Sequence, residues 1–367
     1  MHFDLVVAGA GPAGCAAAIH AASRGLRVAL IEKSAFPRDL PGEALFPNVD
    51  LLFAELGVTK AVSKAGFIRC PGWIEERSGA RRFIPFGGPS GLEFGYQAWR
   101  SKLDAILLDR ARRAGVTVVQ PARSGKVLVT GGRVTGLEVD GQCWSCRFLV
   151  DASGTTRWLA RSLGLSVREL SPRLVARYAY FREDGRPGLL PELRQHTSGW
   201  TWLARVKTDC FQCVQLMLPV EAGSARGPVL PAPPDLPPGV RFRGADVTWR
   251  LVPECAGAGF FLCGDAAAAL DPSAASGVAR AMTSGLKAAK LIILVAIDGM
   301  DTLAAADAYR RWCVEQFVGH ARQVATRYAQ LETPPAWLRG LESQFSQLEE
   351  HSSKTLANSV DSVITSS

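Results

Sequence analysis

Three glycines and two acids carry the chemistry that can be read first. Gly9, Gly11 and Gly14 follow the apolar run Asp4-Leu-Val-Val-Ala with G-x-G-x-x-G spacing, and Pro12, Ala13 and an alanine-rich run start a helix. That order suits a phosphate: Gly9 allows the tight turn, Gly11 lets the backbone approach a pyrophosphate, Gly14 brings the helix against the sheet, and the helix's first amides hold the charge. A second apolar run, Arg27-Val-Ala-Leu-Ile, ends in Glu32 and Lys33, 18 residues beyond Gly14 in the case of the acid, where a ribose hydroxyl would be met. Much later, Gly259-Phe-Phe-Leu-Cys delivers Gly264 and Asp265, then Pro272, Ser276 and Gly277 among residues hardly larger than a methyl group. An aspartate at the carboxyl end of a buried strand can accept hydrogen bonds from a polyol, and small residues let a flat ring lie against the main chain. The helical run from Val278 would turn its positive end toward an electron-rich ring.

These residues need a frame to hold them. At 367 residues and 47% hydrophobic, the chain can bury a large core as one big domain or two joined ones. The opening strand, glycine turn, helix and strand predict an α/β fold. Arg173–Phe181, Trp200–Arg205 and Cys210–Leu218 read as neighbouring strands by their β-branched and aromatic content. The 42 basic residues outnumber the 34 acidic ones, giving +8, but the charges are scattered and no nucleic-acid partner is expected. The N-terminus lacks a basic leader, and the longest later apolar run, Leu291–Ile297, falls far short of the roughly 20 residues a membrane-spanning helix needs. A soluble, cytoplasmic protein with no membrane span is the expectation. The C-x-x-C pairs Cys143/Cys146 and Cys210/Cys213 fall on strands, where residues three apart face opposite sides, so reduced thiols and no metal site are expected. His2, His20, His196, His320 and His351 lie mostly at exposed or helical places and read as structural.

The N-terminal fingerprint, Gly264-Asp265 with Pro272 and Gly277, and the middle run Tyr96-Gln-Ala-Trp-Arg100-Ser-Lys-Leu-Asp-Ala-Ile-Leu-Leu resemble the FAD-dependent monooxygenase and halogenase superfamily. The likeness is to its para-hydroxybenzoate hydroxylase type and covers about residues 1 to 320. It implies a Rossmann-like FAD-binding domain over 1–65, 95–165 and 255–320, with an inserted β-sheet substrate domain over 66–94 and 166–254. A C-terminal helical segment, 321–351, and a polar tail, 352–367, would follow. FAD is the implied cofactor. By position, Gly9, Gly11, Pro12, Ala13, Gly14, Glu32 and Lys33 would hold its ADP half, Arg100 would contact it from a helix, and Asp265 would hold the ribitol. Gly264, Pro272, Ser276 and Gly277 would border the ring. Asp151 is similar to the family's acid-glycine motif, but Ala152 replaces the glycine, which weakens direct use of NAD(P)H. The electron source is therefore NAD(P)H or a reduced-flavin donor, with a flavin reductase as a partner.

Pro41-Gly-Glu43-Ala-Leu-Phe-Pro-Asn and Ser198-Gly-Trp200-Thr-Trp202-Leu resemble the halogenase branch, whose active-site lysine stabilises or relays hypohalous acid. In the segment that looks like that region, Ala65-Gly-Phe-Ile-Arg69-Cys70-Pro-Gly-Trp73, Arg69 and Cys70 appear instead. Arginine does not give up a proton easily, so halogenation is disfavoured here. The expectation is a monooxygenase that hydroxylates an electron-rich aromatic substrate, indole- or phenol-like, through a flavin hydroperoxide. Cys70, Trp200 and Trp202 are the pocket candidates, with core packing an equal reading for the tryptophans. A proline-rich connection over 222–240 predicts an open roof, similar to flavoproteins that modify a tryptophan of a partner protein in tryptophylquinone maturation. An isoprenoid-type FAD reductase and a non-catalytic flavin-binding protein share the same cofactor motifs.

Overall fold

The computed structural model describes residues 1–38, 40–87, 93–183, 190–219, 233 and 236–364. Apolar residues running without alternation build a parallel sheet buried on both faces. Leu5, Val6 and Val7 of His2–Ala8 and all of Val28–Ile31 are at most 2% exposed. The parallel strands lie in the order Phe260–Leu262, Gln142–Asp151, His2–Ala8, Val28–Ile31, Thr117–Val119. Ser124–Thr130 and Arg133–Val139 form a meander that runs into Gln142–Asp151. Register does the positioning: Ala8 pairs with Ile31 and Asp151, and Asp151 with Leu262. Gly9, Glu32, Ala152 and Cys263–Asp265 therefore leave the sheet together at its carboxyl edge, where open α/β sheets bind ligands.

The first helix, Pro12–Ala22, lies against a later one, Gly277–Ala296. A Cβ on Gly285 would sit 2.1 Å from the Ala13 carbonyl oxygen, and one on Gly264 would sit 3.2 Å from the Ala13 methyl. Small residues in this stretch thus serve helix packing as well as ligand access.

A seven-stranded sheet roofs this layer in the order Arg243–Asp246, Val175–Arg182, Cys210–Met217, Gly199–Lys207, Glu192–His196, Gly72–Arg77, Ala80–Pro85. Neighbours run antiparallel, except that Glu192–His196 and Gly72–Arg77 are parallel. Tyr178 pairs with Val214 and Val214 with Trp202, while Tyr180 pairs with Gln212 and Gln212 with Ala204, so these side chains share the inner face with Trp200 and Leu216. Trp200 and Leu216 join Trp249, Phe317 and Tyr328 in a core against the long helix Thr302–Ala329.

The proline-rich segment lies largely outside the described residues. Where a polar tail was expected, the backbone helix Leu341–Ile364 continues, with Leu356, Val360 and Ile364 recurring at helical spacing. The nine cysteines are free thiols; in the first C-x-x-C pair Cys143 is exposed and Cys146 buried. Among the described residues no helix is long and apolar enough to cross a membrane.

Candidate active site

Gly9 and Gly14 exist for the chain's own close approaches. Gly9 has φ +108°, and a Cβ there would lie 2.4 Å from the Ala152 carbonyl oxygen; on Gly14 it would lie 1.8 Å from the Gly9 oxygen. Gly11 is different: a Cβ would meet only Arg38 Nη2, at 3.4 Å. The space between that guanidinium and the uncapped start of Pro12–Ala22 could receive a pyrophosphate. Pro12 and Ala13 are buried at the helix start, whereas Lys33 is exposed.

Glu32 Oε2 accepts from the Ala10 amide at 2.8 Å and from Arg38 Nη1 at 3.1 Å, and Oε1 accepts from the Ser34 amide at 2.9 Å. Its remaining lone pairs are available to a ribose. Arg100 is clamped on Asp104 by bonds of 2.9 and 3.0 Å and donates to the Pro41 carbonyl at 2.9 Å. Arg38, which no sequence signal marked, also approaches Asp104 at 3.7 Å and so bridges both acids.

Asp265 is exposed and lines the cleft. Among the described residues its carboxylate accepts no hydrogen bond. Desolvation by the surrounding protein raises its carboxyl above the usual range against the pull of Arg280, Arg100 and Arg157. Beside it a cavity of about 530 Å³ is lined by Phe46, Asn48, Ala275, Ser276, Gly277 and Arg280. The Ser276 hydroxyl is buried without a partner, and a Cβ on Gly277 would meet nothing within 4 Å. Pro272 opens the short turn Pro272–Ala274 that leads into this wall. An unpartnered acid, room beside a helix start and open space at Gly277 fit the ribitol, pyrophosphate and ring of FAD. Asp151, by contrast, accepts from the Ser153 and Leu159 amides, both at 2.8 Å, and shapes the loop under Gly9. Of the histidines, His320 lines the cavity's far side, its Nδ1 2.6 Å from the Gln316 carbonyl oxygen.

Between cleft and roof lies a group that sequence reasoning passed over. Glu43, 1% exposed, accepts from Tyr180 Oη at 2.5 Å, Gln212 Nε2 at 2.5 Å and the Gly42 amide at 2.8 Å. Burial raises its carboxyl, opposed by the Tyr180 bond and by Arg100. Only the motif around Glu43 was visible in the sequence; its partners lie more than a hundred residues away. Cys70 is 2% exposed on Ile68–Cys70, a strand paired with Gly95–Gln97, and burial pushes its thiol up, so it is no thiolate nucleophile at neutral pH. Neighbouring Arg69 turns outward over Tyr96, 4.5 Å from the ring centre. The two tryptophans separate. Trp200 donates to Tyr328 Oη at 3.3 Å within the core, while Trp202 keeps a buried Nε1 with no partner on the inner face.

The model of the tryptophan halogenase family matches residues 73–215, and that of the FAD dependent oxidoreductases matches residues 4–42. A 1H-pyrrole-2-carbonyl-[peptidyl-carrier protein] brominase of Pseudoalteromonas luteoviolacea is 30% identical over 343 residues, covering 84% of this chain and 82% of the relative. Two solved structures share the fold. The myxobacterial chondrochloren halogenase CndH has a TM-score of 0.76 at 23% identity, covering 93% of this chain and 86% of its own. PqsL of Pseudomonas aeruginosa, a probable FAD-dependent monooxygenase, has a TM-score of 0.74 at 16% identity, covering 94% and 100%.

Proposed function

Because the chain belongs to the flavin-dependent halogenase family and is an FAD-dependent oxidoreductase, we propose that it performs electrophilic substitution on an electron-rich aromatic ring. The observation that carries this reading is the set of level strand ends that opens a flavin-sized cleft at Gly11 and Asp265, beneath a roof presenting Tyr178, Tyr180 and Trp202. Bound FAD, once reduced by NAD(P)H or by a flavin reductase, supplies the electrons that activate dioxygen. The protein's part is to bind, orient and exclude water. Residues 1–65, 95–165 and 255–320 form the cofactor domain in this reading, and 66–94 with 166–254 form the substrate domain.

The brominase relationship supports halogenation as the first reading, in place of the hydroxylation expected from the sequence. Cys70 favours a second reading, oxygen transfer, since a buried neutral thiol lacks the ammonium donor that a lysine there would supply. The relative's carrier-protein substrate supports a ring presented on a macromolecule, and a reactive tryptophan on a partner protein is the corresponding finer proposal here. The test uses FAD-loaded protein with a flavin reductase, NADH, oxygen and bromide. Indole, phenol and a tryptophan-containing peptide are the probes, read by mass spectrometry. Brominated product supports the first reading and oxygenated product the second. Peroxide release with every probe unchanged overturns both.

A further inference from the structure

The cleft wall is held from behind by a buried carboxylate that the proposed chemistry does not use. Asp271 is 3% exposed and sits just before the Pro272–Ala274 turn. Its Oδ1 accepts from the Ser273 amide at 2.9 Å and from Tyr328 Oη at 2.7 Å, and its Oδ2 accepts from Trp249 Nε1 at 2.6 Å. Tyr328 Oη in turn accepts from Trp200 Nε1 at 3.3 Å, and Trp200 belongs to the roof strand Gly199–Lys207. All four side chains are at most 5% exposed.

We propose that Asp271 is a positioning residue for the cofactor, fixing residues 272–277 in the shape that receives the flavin ring, with Tyr328 tying that shape to the roof at Trp200. Three features of the segment need such an anchor. Ala275 holds φ +45°, a left-handed conformation that side chains other than glycine rarely adopt, so the surroundings must impose it. The Ser276 hydroxyl lies buried without a partner, so the segment's local hydrogen bonds do not by themselves account for its shape. Arg327 Nη1 donates to the Ser273 carbonyl at 3.2 Å from the same long helix that carries Tyr328. The turn that leads into the wall is thus pinned at one residue, Ser273, on both its amide and its carbonyl. Three donors converge on the one carboxylate, so the anchor is geometric.

The inference rests on the cleft holding FAD but not on any aromatic substrate. Its test compares Tyr328→Phe, Trp200→Phe and the double variant as full chains, measuring the FAD dissociation constant, the midpoint potential of bound flavin and thermal unfolding. Tyr328→Phe keeps the ring stacking and removes only the hydroxyl, so it should weaken FAD binding by roughly tenfold and move the potential. Trp200→Phe should move both in the same direction by less. The double variant should match Tyr328→Phe alone, because the Trp200 bond ends on the missing hydroxyl. A lowered melting temperature with FAD affinity and potential unchanged would assign Tyr328 and Asp271 to folding alone and overturn the proposal, as would additive effects. Should Tyr328→Phe not fold, Trp200→Phe decides by the same two flavin readings. Wild type that binds no FAD sinks the cofactor reading itself, whereas wild-type binding with indifferent variants sinks only this one.

Discussion

Asp151 ends one strand and Asp265 follows its parallel neighbour at the same edge of one sheet, and the surrounding protein pushes both carboxyls above the usual range, although Asp151 is fully buried and Asp265 is exposed. Their roles are nonetheless opposite. Asp151 is fully buried, with both oxygens on backbone amides, one of them at the start of the helix Trp158–Leu163. Asp265 has no protein donor among the described residues and opens on the cavity. A strand-end acid that the fold has satisfied is architecture; one left unsatisfied beside a cavity is a ligand contact. The same contrast separates the glycines, since Gly9 and Gly14 are pressed by the chain's own carbonyls while Gly11 and Gly277 face space.

The largest effect should come from Asp265→Ala, which removes the acceptor we propose for the ribitol and should raise the FAD dissociation constant about 10- to 100-fold. Equilibrium titration checks it, and a change under threefold would erase the distinction between the two acids. Asp151→Asn should instead cost about 1–3 kcal/mol of stability, because its amide would face a backbone N–H where an acceptor is needed. Denaturant unfolding reads that loss, and FAD affinity should hardly move. Without FAD, Asp265→Asn should melt higher than wild type at pH 8. The raised carboxyl pKa means that the cost of the charge is absent below the unfolded value of about 4 and grows as pH rises through the folded value. The gap between the two melting curves should therefore close toward pH 4; a gap that widens on acidification contradicts the sign. The smallest effect is expected from Gly277→Ala, which fills space the protein itself does not use. Stability should hold within about 0.5 kcal/mol, while FAD affinity falls roughly fivefold through crowding.

Local order carried far in the sequence. The glycine spacing, the acids after strands and the apolar runs were legible because each acts within about thirty residues of itself, and the inserted strands were legible from aromatic and β-branched content. Arg38, Glu43 and Asp271 were not read as functional, since their meaning lies in partners such as Asp104, Tyr180, Gln212, Tyr328 and Trp249, brought close only by folding. The small residues from Gly264 to Gly285 were read as making room for a ring, and the structure divides that credit with the contact between two helices. Trp200 and Trp202 look alike in sequence; pairing and the position of Tyr328 send one into the core and leave the other with a free indole N–H.

The most direct measurement is titration of the purified wild-type chain, stripped of flavin, with FAD and separately with FMN, followed by flavin fluorescence. Saturation at one FAD per chain, with FMN binding far more weakly for want of the AMP portion proposed to meet Gly11, Arg38 and Glu32, is the predicted result. No saturable FAD binding, or equal affinity for the two flavins, would contradict the cleft as described.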